Sequence, residues 1–110
     1  MSKASIVEAE QALDCAERAF AAWSGVSPRE RAGYLFKAAA IMRKRKFELS
    51  SWLVYEAGKN WAEADADTAE AIDFLGFYGR EMCRLAEPQP LVRIQGEDNE
   101  LVYIPLGIIL

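Results

Sequence analysis

The sequence predicts a mainly α chain, about four helices followed by a β-hairpin. Apolar residues recur at helical spacing through most of residues 5–82. Start and stop signals divide that stretch at Ser5, at Ser24-Gly25-Val26-Ser27-Pro28 and at Gly58-Lys59-Asn60. After Pro88 and Pro90 the pattern changes to two short runs of β-forming residues separated by a polar, glycine-containing loop.

The first helix is expected over about residues 5–23. Ser5 with Glu8 three positions on reads as a capping box, and Ile6, Leu13, Ala16, Phe20 and Trp23 give one apolar stripe. Ser24-Gly25 ends it. The second helix opens with Ser27 at the N-cap, Pro28 at the first helical position and Glu30 returning to the cap. Tyr34, Leu35, Ala38, Ala39, Ile41 and Met42 favour one side of it, and the alanines suit close approach of a neighbour. A third helix over about residues 46–57 carries Phe47, Leu49, Trp52, Leu53 and Tyr55, and Gly58 stands where a left-handed residue would close it. The short connections favour antiparallel packing of consecutive helices.

The fourth helix is the longest, restarting at Asn60 and continuing past Met82. Trp61, Ala64, Thr68, Ile72, Leu75, Gly79 and Met82 fall on one small-and-apolar face. The opposite side carries Glu70 and Asp73 with Phe74 and Phe77 beside them. Carboxylates flanked by aromatics imply a second contact, with another domain or a ligand, away from the main core. Beyond the prolines, Leu91-Val92-Arg93-Ile94 and Leu101-Val102-Tyr103-Ile104 read as the two strands of a hairpin, which is marginal in water by itself and needs a sheet or another subunit to join. Pro105 and Gly107 break the second run, and Ile108-Ile109-Leu110 reads as the start of a further apolar strand, the pattern expected of a piece of a longer chain.

Composition bounds the function. A chain of 110 residues has room for one small domain and a modest core, and 52% hydrophobic with 27% charged residues is globular rather than disordered. The net charge of -4 argues against a nucleic-acid partner, because phosphate-backbone binding needs clustered excess Lys and Arg. The one basic run, Arg43-Lys44-Arg45-Lys46, reads as a solvated helix end beside the C-terminal carbonyls. No apolar run approaches the ~20 residues of a membrane span, and MSKASIVEAEQ lacks the apolar core of a signal peptide. There is no histidine, and Cys15 and Cys83 have no metal-type spacing. Neither a catalytic residue nor a metal site is therefore assigned, both cysteines read as buried small residues on helices, and a reducing, cytoplasmic setting is expected.

Several pieces together resemble one family. AFAAW, SPRERAGYLFKAAAIMRKRKFELSSWLVYEAGKNWAEA, AIDFLGFYG and YIPLGI are similar to the N-terminal part of the aldehyde dehydrogenase superfamily. EAGKNWAEADADTAEAIDF and GEDNELVYIPLG are closest to its branch of Δ1-pyrroline-5-carboxylate (L-glutamate γ-semialdehyde) dehydrogenases. The resemblance runs from about residue 19 to 107. It implies part of an α/β fold with a Rossmann-like cofactor domain: residues 1–87 as the helical start of the cofactor-binding domain, 88–104 as a hairpin of the oligomerisation domain, and 105–110 as the start of the next cofactor-domain strand. It also implies a parent enzyme that uses NAD to oxidise glutamate semialdehyde to glutamate in proline catabolism, and that forms a homo-oligomer through the 90–104 hairpin. The family's catalytic cysteine, oxyanion-stabilising asparagine and general-base glutamate belong to later segments, so this chain alone is expected to be inactive and to bind no cofactor.

One functional residue transfers by position. In the resembling branch the glutamate of AEAIDF contributes to recognition of the substrate's α-amino group, and that residue is Glu70. Pattern alone favours a solvated acidic face shared with Glu63, Asp65, Asp67 and Asp73; the resemblance shifts Glu70 to substrate binding. The alternative for the whole chain is a non-catalytic helical interaction module that kept the family's helices.

Overall fold

The computed structural model describes residues 3–109. Four helices are present: α1 (Ile6–Ser24), α2 (Pro28–Lys44), α3 (Lys46–Ala57) and α4 (Trp61–Leu85). The chain divides into two units. One holds α1 and the segment from Val102 onward, and the other is Pro28–Leu101.

Helix α1 starts as its sequence demands. The Ser5 hydroxyl accepts from the Glu8 amide at 3.3 Å, and the Glu8 carboxylate accepts from the Ser5 amide at 2.7 Å, completing a capping box. The bond from the Ser5 amide, and then one donated by the Ser5 hydroxyl to Glu8 Oε2 at 2.8 Å, hold the Glu8 carboxyl below its ordinary range. A carboxylate with a depressed folded value contributes stability above the ordinary glutamate range and loses it as pH falls through the lowered value. In an acid titration followed by NMR, the Ser5 and Glu8 amides should shift together with a midpoint below that of a free glutamate. Ser5→Ala, which spares the backbone bond, should return the midpoint only part of the way.

The second unit is built on contact between small residues. Ala32 and Ala39 of α2, Ser50 of α3, and Ala64, Thr68, Ile72 and Gly79 of α4 are buried. Helices α2 and α4 run antiparallel: Arg29 pairs with Glu87 at 2.8 Å at one end, and farther along Phe36 lies over Gly79. A Cβ on Gly79 would sit 2.5 Å from Phe36 Cε1, so the ring occupies the space that a side chain would need. The face expected on α4 is the one that is buried, with Leu75 and Met82 half-buried along it; Trp61, at its start, is exposed.

Helix α3 packs against α4 and scarcely touches α2. Consecutive helices are thus not the main antiparallel pair. Only Arg45 separates α2 from α3, and a one-residue break is too short for the chain to fold back on itself. The Ser50 hydroxyl lies 3.0 Å from that of Thr68, while each also reaches its own helix, Ser50 to the Lys46 carbonyl (2.9 Å) and Thr68 to the Ala64 carbonyl (2.8 Å). Two hydroxyl protons serve three contacts, so one hydroxyl donates to the other while its partner donates to a carbonyl. The bulk of α3 expected from sequence points elsewhere: Phe47, Trp52 and Tyr55 are exposed. An incompletely covered apolar surface is the result.

Gly58 closes α3 in the left-handed conformation, φ 69°, with its amide donating to the Val54 carbonyl at 3.1 Å. Asn60 then caps α4, its side-chain oxygen accepting from the Glu63 amide at 3.0 Å. At the far end Gln89 Nε2 donates to the Arg84 carbonyl at 3.1 Å, covering a helix-end acceptor, and to the Glu87 carbonyl just beyond the helix at 2.7 Å, where Pro88 and Pro90 rule out continuation.

The expected β-hairpin is not formed. Among the described residues there is no strand, and residues 88–109 form neither helix nor strand, with one turn. In that turn the Glu97 amide donates to the Ile94 carbonyl at 3.1 Å, with Gly96 at φ 86° in the position that requires a positive value. The turn chemistry was therefore read correctly, but the ladder was not. Two four-residue runs flanking a six-residue polar loop gain few backbone bonds to offset loop closure. No face of residues 91–104 is buried, so nothing fixes a register. The fold class of the described residues is accordingly four helices followed by a segment without regular secondary structure.

Candidate functional site

The candidate site lies on the first four turns of α4. Glu63, Asp67 and Glu70 follow one another at spacings of four and three, which places them on one stripe of the helix. Asp65 falls outside that stripe and is held by Lys46 of α3, whose ammonium lies 2.7 Å from Oδ1 and 2.8 Å from Oδ2. The basic run of the sequence is thus partly spent within the fold. Lys46 takes Asp65, and Arg45 makes a two-bond contact with Glu48.

The stripe has a cation of its own. Lys59 stands between the left-handed Gly58 and the N-cap Asn60, and its Nζ donates to Asp67 Oδ2. The Asp67 hydrogen bond, opposed by burial and reinforced by the charges of Asp67, Glu63 and Glu70, holds the Lys59 ammonium above the ordinary lysine range. Glu70 is exposed, and among the described residues no cation forms an ion pair with it. Phe74 lies one turn beyond it, but the ring contacts of Phe74 and Phe77 go to Tyr78, with centroids 5.8 and 5.3 Å apart. Glu70 is therefore less enclosed than its aromatic neighbours suggested. What this arrangement offers chemically is an open carboxylate on a rigid helix, able to accept a charge-assisted hydrogen bond from an ammonium.

Cys15 is exposed and accepts from Arg18 at 3.1 Å, and Cys83 is half-buried, which corrects the expectation that both are buried. Among the described residues no cluster of acidic or cysteine side chains could hold a metal ion, and no helix is long and apolar enough to cross a membrane. From sequence alone Lys59 has no role and Lys46 is part of a solvated helix end, whereas Lys46 pairs with Asp65. The available signal was a lysine placed just before an N-cap, where the helix dipole disfavours a cation.

Residues 1–110 match the model of the aldehyde dehydrogenase family along their whole length. The chain belongs to that family. Within it, the chain is 55% identical over 108 residues to the 1-pyrroline-5-carboxylate dehydrogenase of Geobacillus thermodenitrificans, covering 98% of this chain and 21% of that protein. The 1-pyrroline-5-carboxylate dehydrogenase 2 of Bacillus subtilis gives the same identity and coverage. Among solved structures, a 1-pyrroline-5-carboxylate dehydrogenase from Thermus with bound NAD superposes with a TM-score of 0.83 at 51% identity, over 96% of this chain and 20% of that one. Proline utilization A from Bdellovibrio bacteriovorus matches with a TM-score of 0.76 at 41% identity, over 86% of this chain and 10% of that one. This family member thus spans about a fifth of the length of the dehydrogenases it matches, and its four helices correspond to one part of their fold.

Proposed function

We propose that this chain is the N-terminal segment of an NAD-dependent dehydrogenase that oxidises glutamate semialdehyde, formed from 1-pyrroline-5-carboxylate, to glutamate in proline catabolism. The observation that carries this reading is the 55% identity to 1-pyrroline-5-carboxylate dehydrogenases sustained over 98% of the chain. Residues 1–87 supply the helical start of the cofactor-binding domain and residues 105–110 lead into its next strand. NAD is the cofactor of the complete enzyme, and this segment by itself binds none. The segment's own contribution to the chemistry is Glu70, whose carboxylate accepts from the α-ammonium of the substrate. Residues 88–104 belong to the part through which copies of the enzyme associate. The exposed Val92, Val102 and Ile104 suit pairing with another strand. Two free cysteines fit a cytoplasmic enzyme.

The test compares NADH formation from glutamate semialdehyde by this chain and by the same chain extended through the segments that complete the relatives' length. Activity is expected only in the extended protein. Inactivity of both would favour the interaction-module reading. Activity in the short chain would overturn the placement of the nucleophile outside it.

A further inference from the structure

Lys59 violates a local rule. A cation immediately before an N-cap faces the positive end of the helix dipole, which disfavours it. The chain nevertheless puts Lys59 there, turns it with a left-handed glycine, and ties its ammonium to Asp67. Asp67 and Glu70 are three residues apart on α4, so their side chains are neighbours about 5–6 Å apart at Cβ. The ion pair therefore stands one helical turn from the carboxylate assigned to substrate.

We propose that the Lys59–Asp67 pair is a positioning and specificity-tuning device for Glu70, resting on the reading of Glu70 as the ammonium acceptor. Lys59 neutralises Asp67, so that an incoming ammonium meets no competing open carboxylate one turn before Glu70. Asp67 in turn holds Lys59 in place, so that its ammonium neither wanders along the stripe nor quenches Glu70. The pair thus sets the field at Glu70. Of the other carboxylates on this side, Glu63 lies beyond Asp67 from Glu70 along the helix, and Asp73 lies three residues after Glu70, away from the pair.

The two members of the pair act on Glu70 with opposite sign, and that separates tuning from scaffolding. In the complete dehydrogenase, Lys59→Gln removes a cation and should lower KM for glutamate semialdehyde about two- to threefold at low salt. Asp67→Asn removes an anion and frees the lysine, and should raise it by a similar factor. KM for an aldehyde of similar length without the amino group should stay unchanged in both, Lys59→Arg should behave as the parent, and the differences should shrink as salt is added. In a Glu70→Gln background the opposed shifts should vanish. A pair that only braces the helix would instead shift both variants in the same direction for both aldehydes, and that result overturns the proposal. Opposed shifts that persist in Glu70→Gln also overturn it, because the pair would then act without Glu70. The underlying reading is tested separately. If Glu70→Gln alone fails to distinguish the two aldehydes, the assignment of Glu70 fails. If it distinguishes them while the pair variants match the parent, only the tuning role fails.

Discussion

Gly79→Leu should be the most destabilising single change in the second unit, lowering unfolding stability by about 3 kcal/mol or more, with Gly79→Ala costing about 1 kcal/mol. The two effects on alanine oppose each other. Replacing glycine inside a helix gains about 1 kcal/mol of backbone entropy and propensity. Against that, the new Cβ would lie 2.5 Å from Phe36 Cε1 and 2.9 Å from Cζ, distances that real carbon contacts do not adopt. Phe36 is 40% exposed, so its ring can swing outward and the alanine variant survives at a modest loss. A leucine would have to part α2 from α4 along the seam held by Ala32, Ala39 and Gly79. The check is a urea unfolding series including Phe36→Ala with Gly79→Ala. If ring overlap is the cause, the alanine at position 79 should cease to destabilise once the ring is gone. A cost that remains would mean the backbone at Gly79, rather than the Phe36 ring, sets the limit.

This seam also shows what a sequence does and does not carry. The helix boundaries were legible because their determinants are local. A capping box at Ser5 and Glu8, an N-cap at Asn60 and a glycine at position 58 each act within a few residues. The buried stripe of α4 was legible because a period of 3.6 singles out one face whatever packs on it. Which helix packs on it was not. The pairing of α2 with α4 is decided by residues far apart in the sequence, such as Phe36 and Gly79, and short connections favoured consecutive neighbours instead. The hairpin failed for the same reason in reverse. Its β-forming residues were correctly recognised, but a strand exists only if another strand pairs with it, and the described residues offer none. At the candidate site, Glu70 was reached through a resemblance in AEAIDF rather than through its charge, since the acidic pattern by itself suits a solvated face. The Lys59–Asp67 contact crosses a helix boundary, and no periodic rule covers that geometry.

Glu70→Ala in the complete dehydrogenase should lower kcat/KM for glutamate semialdehyde about tenfold and leave simple aldehydes within about twofold. A hydrogen bond to a charged group is worth about 1.5–3 kcal/mol. The lower end applies because Glu70 is exposed on this segment and water competes with the ammonium. The loss should fall mainly on KM, because the α-amino group is remote from the aldehyde carbon and its contact is made equally in ground and transition states. Glu70→Gln, which keeps the acceptor oxygen and drops the charge, should fall between alanine and the parent. The comparison also reports on how enclosed the carboxylate becomes in the complete enzyme. If later segments cover α4, water no longer competes for the bond, and the loss should exceed tenfold with Gln almost as damaging as Ala. If Glu70 stays as open as it is here, the loss should fall as salt is added, as expected for an exposed charge. Equal losses for both classes of aldehyde would remove Glu70 from substrate recognition and return it to the acidic surface of the helix.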